Sequence, residues 1–367
     1  MKIVLKLPES LSEMVLFSPV LKYIKDKYKD AYIIAITSKY GRDIFLHDPH
    51  INEIWAIDKM GSRWKFFWYL NRKWKDVKVD HYFYFGGGHL ASVWACLKRV
   101  PNRTGLYTGL FSYLFFNHLV RQEREFTEMH ETEYNLNVLS SLGFQYHASE
   151  KKILETKLYI DPESAKRSLE RFYQQILKTD ENKNKKIIFL HPFARYMHPT
   201  WPMRNMIKLI DKIEQKCPNN YHYVVSYRTE DQDSLLAFKN EINKKKYKTL
   251  SEKVFYFDAL TYGLRYFIEV LSQADLFVGH NTGAYYMANA LGLKTLGLYL
   301  PIKSLSAFRW APFHFDSSRS KVVVPEVVCG EVEICVGDKC PYYECMARIE
   351  VDSIFLEVNE HIKSKKG

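Results

Sequence analysis

Short apolar runs alternate with longer amphipathic stretches along most of this chain. Residues 2–7 and 32–37 are rich in β-branched side chains, which predicts two strands, and residues 14–28 carry apolar side chains at helical spacing. Further strands are predicted at 54–57, 82–85, 187–190, 223–226, 254–257, 276–278 and 295–300. Because helices alternate with strands, the pattern predicts an α/β protein built on parallel, doubly wound sheets.

Two domains are expected from the length of the chain and from one polar interruption. The 367 residues are 47% hydrophobic, which is enough to bury two cores. Residues 178–186, KTDENKNKK, lack apolar periodicity and are typical of a linker. The predicted domains are therefore 1–178 and 187–345, followed by a helix within 346–367 that packs back on the first domain.

A strand–turn–helix unit in the second half has a pattern suited to anion binding. The apolar run ends at Gly279, a polar turn follows at Asn281, Thr282 and Gly283, and apolar side chains then recur at helical spacing from Tyr286. A helix that begins with small polar residues presents free N–H groups and a positive dipole, which suits a phosphate. The alternative is an ordinary connection between a strand and a helix.

Two loops of the first half are predicted at one edge of the sheet. Ligands of doubly wound sheets bind beyond the carboxyl ends of the strands. Glu13 follows the first predicted strand, and the sequence Gly86-Gly87-Gly88-His89 follows the strand at 82–85. The three glycines either cradle a phosphate or mark a tight exit from the strand.

The net charge of +11 favours an anionic partner, such as a nucleic acid, a phosphorylated glycolipid or an acidic membrane face. No helix-turn-helix, zinc-finger or RNP sequence accompanies the charge, so nucleic acid is the least favoured. Residues 63–78 mix aromatic and basic side chains, which indicates either a surface helix with one buried aromatic stripe or a contact with an anionic membrane. The sequence has neither a signal-peptide pattern nor an apolar run of about 18 residues, so we predict a cytoplasmic location.

Four of the six cysteines crowd into one segment: Cys329, Cys335, Cys340 and Cys345. In a reducing cytoplasm a disulfide framework is disfavoured. Their spacings do not match a strong zinc motif. We predict no metal in the functional site, and the sequence leaves open whether these thiols hold a metal ion or are only structural cysteines.

Several motifs resemble, in their order along the chain, those of glycosyltransferase family 9, the ADP-heptose:lipopolysaccharide heptosyltransferases. The nucleotide-sugar motif of that family is matched at Thr282, Gly283, Ala288, Ala290, Leu291, Gly292 and Pro301. The chain departs from the motif at Asn281, where the family has Asp, and at Tyr286, where it has His. Trp201 and Pro202 match a second motif, but Pro199 replaces its lysine.

The resemblance implies the GT-B fold, in which two Rossmann-like domains face a cleft and the second holds the donor nucleotide. It also implies that Glu13, in register with the family's catalytic aspartate, takes the acceptor proton in an inverting transfer. Donor contacts are expected from His191, Arg195, His198, Asn281, Thr282, Gly283 and Tyr286. Acceptor contacts are expected from His89 and from Arg103, which lies in a short Arg-x-Gly element. Neither a divalent metal nor a further cofactor is implied.

The leading interpretation is therefore an enzyme that transfers heptose, or a similar sugar, from an ADP-sugar to a lipooligosaccharide or lipopolysaccharide core. Its expected partners are the nucleotide-sugar and an anionic glycolipid, with peripheral association at the cytoplasmic face of the inner membrane. The altered motif positions leave a second interpretation open, a family member that binds nucleotide without transferring sugar. A nucleic-acid-binding protein is a remote third.

Overall fold

The computed structural model describes most of the chain. The described residues are 1–57, 63–110, 112–124, 129–143, 146–147, 154–178, 185–194, 199–313, 316, 318–329 and 335–363. They form two compact units, Met1–Tyr159 and Ile160–Gly367. Each unit carries its own sheet and its own buried core.

The first unit is a parallel sheet with helices in its crossovers. Its strands are β1 (Lys2–Lys6), β2 (Tyr32–Ser38), β3 (Glu53–Ile57), β4 (His81–Tyr84), β5 (Asn102–Leu106) and β6 (His118–Val120). Its helices are α1 (Leu11–Leu16), α2 (Ser18–Lys27), α3 (Lys39–Phe45), α4 (Arg63–Trp74), α5 (Leu90–Leu97), α6 (Ser112–Phe115) and α7 (Glu131–Val138). The strand order is β3-β2-β1-β4-β5-β6, and all of these pairs are parallel.

The second unit repeats this plan. It begins with α8 (Pro162–Phe172), and its strands are β7 (Lys186–His191), β8 (Tyr221–Tyr227), β9 (Val254–Asp258), β10 (Leu276–His280), β11 (Lys294–Leu298) and β12 (Ser320–Val323). The other helices are α9 (Met203–Lys216), α10 (Gln232–Ile242), α11 (Lys248–Ser251), α12 (Leu264–Leu271), α13 (Gly283–Ala290), α14 (Ala307–Trp310) and α15 (Val351–Lys363). The strand order β12-β11-β10-β7-β8-β9 is again parallel throughout.

Every strand predicted from the sequence is found, with its ends shifted by at most two residues. The helix predicted over 14–28 is wrong in one respect, because it divides into α1 and α2 at Phe17. Pro19 lies in the first turn of α2, where a missing N–H costs no internal hydrogen bond, whereas inside one long helix it would break the ladder.

The boundary between the two units lies earlier than the sequence predicts. The Ser164 and Ser168 hydroxyls of α8 donate to the Glu269 carboxylate of α12 at 2.9 and 2.6 Å, and Phe172 packs on Phe257 with ring centroids 5.1 Å apart. These contacts place α8 in the second unit, so the division falls after Tyr159 rather than after 178. Residues 179–184 of the predicted linker lie outside the described residues.

The C-terminal helix α15 packs against α9 and β11 within the second unit. Its expected contact with the first domain stays a prediction. Within the part of the chain that the structure describes, no helix is long and apolar enough to cross a bilayer.

Candidate active site

Each sheet has one point at which its strand order reverses direction along the chain. In the first unit this point lies between β1 and β4, and in the second between β7 and β10. Crossover connections leave these neighbouring strands toward opposite sides, which opens a crevice beyond their carboxyl ends, and ligands of doubly wound sheets bind there. The loops at these two points contain most of the candidate residues.

In the first unit, the loops that follow β1 and β4 are joined through Glu9. The Glu9 carboxylate accepts a hydrogen bond from the Gly88 N–H at 3.2 Å and lies 3.5 Å from the Lys6 ammonium. Lys6 is only 4% exposed, and burial lowers its pKa even though Glu9 raises it. Its ammonium also donates to the Leu7 carbonyl at 3.1 Å. The edge of the sheet thus carries a partly buried ion pair.

The loop Gly86-Gly87-Gly88 after β4 has a backbone conformation that leaves room for the Glu9 carboxylate. Gly87 has a φ of +82°, and a β-carbon there would clash with the Glu9 carboxylate. The Tyr84 hydroxyl donates to the Gly87 carbonyl. At Gly88, by contrast, no described heavy atom lies within 4 Å of a built β-carbon. Of the two interpretations of the glycines, the geometry favours a tight strand exit that accommodates Glu9.

Glu13 lies in the first turn of α1 and bonds to the residue that caps this helix. Its carboxylate accepts from the Ser10 hydroxyl at 2.6 Å, while its backbone N–H donates to the same hydroxyl at 3.3 Å. This is the geometry of a helix cap. The carboxylate is nevertheless only half-buried and belongs to the loop at the reversal point. Glu13 therefore caps α1 and at the same time presents a partly exposed carboxylate beside the reversal point.

His89 is held between aromatic rings at the same edge. Its ring stacks on Tyr84, with centroids 4.7 Å apart, and on Phe115 at 5.9 Å. Burial and the nearby Lys6 charge lower its pKa, so the ring is neutral near pH 7. Its Nε2 lies 3.5 Å from the Tyr84 hydroxyl, which already donates its proton to Gly87.

Because the Tyr84 proton is already given to Gly87, the 3.5 Å contact favours the tautomer of His89 that carries its proton on Nε2. The Nδ1 atom is buried and has no hydrogen-bond partner among the described residues. In that tautomer Nδ1 carries a lone pair that no described residue uses. His89 thus has one of the properties that a general base requires.

Arg103 is placed differently. Its guanidinium donates to the Phe115 carbonyl at 2.8 Å and to the Val100 carbonyl at 2.6 Å. Arg103 is the second residue of β5 and is in register with Tyr82 of β4. It therefore lies near the amino end of its strand, whereas the candidate loops follow the carboxyl ends of the strands. Both contacts hold backbone in position, one of them at Phe115, whose ring stacks on His89.

In the second unit, His191 ends β7 and is 5% exposed. Its Nδ1 donates to the Ser226 carbonyl at 3.0 Å. Burial lowers the pKa of His191 to about 4, so the imidazole is neutral near pH 7. The side chain that was expected to contact the donor therefore offers a neutral ring rather than a cation.

His280, which ends the neighbouring strand β10, is a site residue that the sequence reasoning missed. It is 2% exposed, and its Nε2 accepts the Trp201 backbone N–H at 3.3 Å. Burial, together with repulsion from His191 when that ring is protonated, lowers the pKa of His280 to about 3. Gly279 pairs with His191, and a β-carbon on Gly279 would lie 2.8 Å from the His191 carbonyl oxygen. The lack of a side chain lets the two strand ends approach closely.

The turn after His280 carries a buried hydroxyl, that of Thr282. Thr282 caps α13 in an extended conformation, with φ −116° and ψ 170°, but its side chain makes no capping bond. Its Oγ1 atom is buried without a hydrogen-bond partner among the described residues. The N–H groups in the first turn of a helix lack helical partners, and the helix dipole is positive there. Thr282 and the helix that starts at Gly283 thus offer donors to an anion.

The two residues that depart from the family motif make internal contacts. Asn281 donates from Nδ2 to the Leu305 carbonyl at 3.4 Å. Tyr286 is 2% exposed, packs on Tyr285 with centroids 5.5 Å apart and shares a side-chain hydrogen bond with Tyr299. Tyr286 therefore fills the core beneath the turn, where the motif histidine would be smaller and more polar.

Two of the expected donor residues, Arg195 and His198, lie outside the described residues. The loop is described again from Pro199, and Trp201 is almost fully buried. The Trp201 indole donates to the Ile349 carbonyl at 2.9 Å. The cationic part of the proposed donor site thus remains a prediction from sequence.

Comparison with known proteins decides the family. The model of glycosyltransferase family 9 (heptosyltransferase) matches residues 88–312. The chain belongs to this family. A member of it is a glycosyltransferase, which confirms the enzyme class expected from the sequence motifs. A search of curated proteins gives no significant match.

Solved structures confirm the GT-B fold class. The ADP-heptose lipopolysaccharide heptosyltransferase II of E. coli has a TM-score of 0.76 at 16% identity, covering 99% of this chain and 98% of that one. The family 9 glycosyltransferase of Veillonella parvula DSM 2008 has a TM-score of 0.75 at 15% identity, with coverage of 99% and 97%. The E. coli heptosyltransferase WaaC with ADP has a TM-score of 0.62 at 11% identity, with coverage of 99% and 98%. At these identities the likeness concerns the fold alone.

Proposed function

We propose that this glycosyltransferase transfers heptose, or a similar sugar, from an ADP-sugar donor to the core of a lipooligosaccharide or lipopolysaccharide. Membership of family 9 supports the reaction class. The observation that carries the donor assignment is the buried Thr282 hydroxyl at the start of α13, which has no partner among the described residues and lies where the second sheet reverses. A buried hydroxyl without a partner costs free energy, and a bound ligand oxygen would supply one.

The diphosphate of the donor is the group that fits this end of the sheet. Its charge is stabilised by the dipole of α13 and by the N–H groups that follow Thr282. Gly283 lets the phosphate oxygens approach the backbone closely. Arg195 and His198 are proposed to add positive charge. The neutral rings of His191 and His280 give this end of the sheet hydrogen-bonding groups rather than charge.

Inversion at the anomeric carbon requires a base beside the acceptor hydroxyl. We assign this role to Glu13. Its carboxylate takes the hydroxyl proton as the acceptor oxygen bonds to the anomeric carbon. The bond from that carbon to the diphosphate breaks, and the nucleoside diphosphate leaves with the electron pair. His89, whose Nδ1 lone pair has no partner among the described residues, is the next candidate.

The acceptor is proposed to be an anionic glycolipid at the cytoplasmic face of the inner membrane. Trp68 on α4 is 64% exposed, while Leu70 and Trp74 of the same helix are buried. Arg72 on α4 and Lys75 just after it are exposed, whereas Lys73 pairs with Glu53 at 3.0 Å. A helix anchored by one face, with an exposed tryptophan and basic side chains nearby, suits the surface of an anionic membrane.

A nucleotide-binding protein without transferase activity is the second candidate. The burial of Tyr286 and the contact of Asn281 with Leu305 favour it, because neither side chain supplies what the family motif supplies. Donor binding would then persist without turnover.

One experiment separates these candidates. The purified chain is titrated with ADP-, GDP- and UDP-sugars by calorimetry and then incubated with the tightest donor and a lipooligosaccharide core, without added divalent metal. We expect ADP-heptose to bind most tightly and sugar to appear on the core. Binding without transfer or donor hydrolysis would support the second candidate. Absence of binding to every nucleotide-sugar would contradict both.

A further inference from the structure

The loop that follows β11 bends back toward the turn after β10. β11 lies beside β10, with Leu298 in register with His280, so the two strands end at the same edge of the sheet. Further along the chain, the Leu305 carbonyl accepts a hydrogen bond from the Asn281 side chain at 3.4 Å. Residues 303–310, which we call the β11 loop, therefore lie next to the turn at which the diphosphate is proposed to bind.

A second set of contacts holds the far end of the β11 loop. Tyr286 shares a side-chain hydrogen bond with the buried Tyr299, and the Tyr299 hydroxyl donates to the Trp310 carbonyl at 3.1 Å. The Trp310 indole donates to the Ser304 carbonyl at 2.7 Å, which joins the two ends of the loop. The β11 loop is thus fixed to the second unit near its start and at its end.

Both residues that depart from the family motif take part in these contacts. Asn281 donates from its amide, whereas an ionised aspartate at this position has no proton to give to the Leu305 carbonyl. Tyr286 supplies the hydroxyl that bonds to Tyr299. The two departures therefore support the same segment of the chain.

The β11 loop presents one large aromatic side chain to solvent. Phe308 is 65% exposed, and among the phenylalanines that the structure describes it is the only exposed one. It follows Leu305 by three residues, a span of at most about 11 Å even in extended chain. Leaving an apolar ring in water is unfavourable, and binding residues are common on loops that a rigid scaffold positions. The exposed ring thus lies within reach of a ligand bound at the turn.

We propose that Phe308 binds the sugar of the donor by stacking on its ring, and that Asn281 and Tyr286 are positioning residues that hold the β11 loop for this contact. The sugar is attached to the diphosphate, so a diphosphate at Thr282 places it near the segment that Asn281 holds. The C–H groups on one face of a sugar ring form an apolar surface, which an aromatic ring covers favourably. The inference rests on the proposed donor site, and it holds for both candidate functions because both bind the nucleotide-sugar.

The test compares two ligands, one with the sugar and one without it. The full chain is titrated by calorimetry with the nucleotide-sugar that the wild type binds most tightly and with the corresponding nucleoside diphosphate. Phe308→Ala should weaken binding of the nucleotide-sugar by about tenfold and leave the affinity for the nucleoside diphosphate unchanged. Phe308→Tyr keeps an aromatic face and should restore most of the loss. Tyr343→Ala, at another exposed aromatic ring of the second unit, is the matched control and should bind both ligands like the wild type.

The double variant Asn281→Ala/Tyr286→Phe tests the positioning role. It removes the amide that holds Leu305 and the hydroxyl that bonds to Tyr299, while the buried ring at 286 is kept. We expect the same selective loss of nucleotide-sugar affinity, and faster cleavage by trypsin after Arg309 because the loop is released. A parallel loss of nucleoside diphosphate affinity would instead assign Asn281 to the diphosphate and overturn its positioning role.

The Phe308 variants decide the proposal even if the double variant fails to fold, because Phe308 is exposed. Equal affinity of Phe308→Ala and wild type for the nucleotide-sugar would overturn it, as would an equal loss of affinity for both ligands. Wild-type protein that binds no nucleotide-sugar would overturn the proposed function as well, so the two failures are distinguishable.

Discussion

The Glu9 carboxylate accepts a hydrogen bond from the Gly88 N–H at 3.2 Å, although the two residues are 79 positions apart in the sequence. This contact joins the loops that leave β1 and β4, the two strands between which the first sheet reverses. Glu9 is exposed at its tip, with 63% of its side chain accessible, yet it lies beside the buried Lys6. The loop that leads into α1 therefore has a fixed point at Glu9, directly before the capping residue Ser10 and four residues before Glu13.

The first prediction concerns this fixed point. Replacing Gly87 with alanine forces a side chain into a φ of +82° and against the Glu9 carboxylate, so we expect a loss of about 1–3 kcal/mol in unfolding free energy. Gly88→Ala is the matched control, because its β-carbon meets no described atom, and it should stay within about 0.5 kcal/mol of wild type. Urea denaturation measures both. Equal stability of the two variants would contradict the proposed packing of the loop.

The second prediction concerns the catalytic base. Glu13→Gln keeps the size and a hydrogen-bonding oxygen of the side chain but removes the proton acceptor. We expect the turnover number to fall by about 10²–10⁴-fold, with donor affinity almost unchanged. Ser10→Ala is the comparison variant, since it removes the hydroxyl that bonds to Glu13 but keeps the carboxylate; it should lower stability by about 1 kcal/mol and reduce turnover far less than Glu13→Gln.

If Glu13→Gln transfers sugar at the wild-type rate, Glu13 is only a helix-capping residue. His89→Gln then becomes the decisive variant, because the glutamine amide can replace the Nε2–H donor but not the Nδ1 lone pair.

The third prediction concerns the donor. Thr282→Val keeps the shape of the side chain and breaks no hydrogen bond to a described residue, so the fold should be preserved. If the Thr282 hydroxyl bonds to the diphosphate, donor affinity should fall by about tenfold in calorimetry. Thr295→Val is the control, because that hydroxyl bonds to Ser320 at 3.1 Å and its loss should affect stability alone. Unchanged donor affinity in Thr282→Val would contradict the placement of the diphosphate beside Thr282. Gly283→Val, which blocks close approach to the backbone, tests the same placement and should also weaken donor binding.

The fourth prediction concerns acid sensitivity. The pKa of His191 is lowered to about 4, so the unfolded chain binds this proton at higher pH than the folded chain does. The free energy of unfolding is therefore unaffected by this proton above pH ~6.5. As the pH falls from there toward 4, the free energy of unfolding decreases by up to about 1.4 kcal/mol per pH unit. His191→Asn keeps a donor for the Ser226 carbonyl but does not titrate, so its unfolding free energy should depend less steeply on pH.

The fifth prediction concerns the membrane. Trp68→Ala should lower affinity for vesicles that contain anionic lipid by about tenfold, since a large exposed ring no longer enters the interface. Leu236→Ala, at another exposed apolar side chain, in the second unit, is the control. Binding should weaken with added salt because the charges are screened. Salt-insensitive binding, or equal binding by Trp68→Ala and wild type, would leave α4 with a structural role only.

The sequence predicted the framework well because strand periodicity and glycine positions are local signals. The strand at 276–280, its turn and the following helix were all expected from such signals. The polar strand β5 and the short strands β6 and β12 were missed, since their pairing depends on the rest of the sheet rather than on their own pattern. The assignment of α8 to the second unit could not be predicted either, because Glu269, its partner, lies about a hundred positions away.

The candidate site was predicted less completely than the fold. Lys6, Glu9 and His280 escaped notice because each functional property depends on burial or on a contact between distant loops. His280 lies between Gly279, where the predicted strand ends, and the polar turn that starts at Asn281. This position was the sequence signal from which His280 could have been predicted as a site residue. Tyr286 was expected at the donor, but a large ring in the first turns of α13 packs inward more favourably than it faces water.

The bond from the Trp201 indole to the Ile349 carbonyl has a consequence for biosynthesis. The two residues are 148 positions apart, and Trp201 also contacts His280 at the end of β10. A ribosome must therefore translate through Ile349 before this corner of the second unit can close. Since domains tend to fold as units during synthesis, the first unit can complete its sheet before Ile349 is available to accept the hydrogen bond from Trp201 in the second unit.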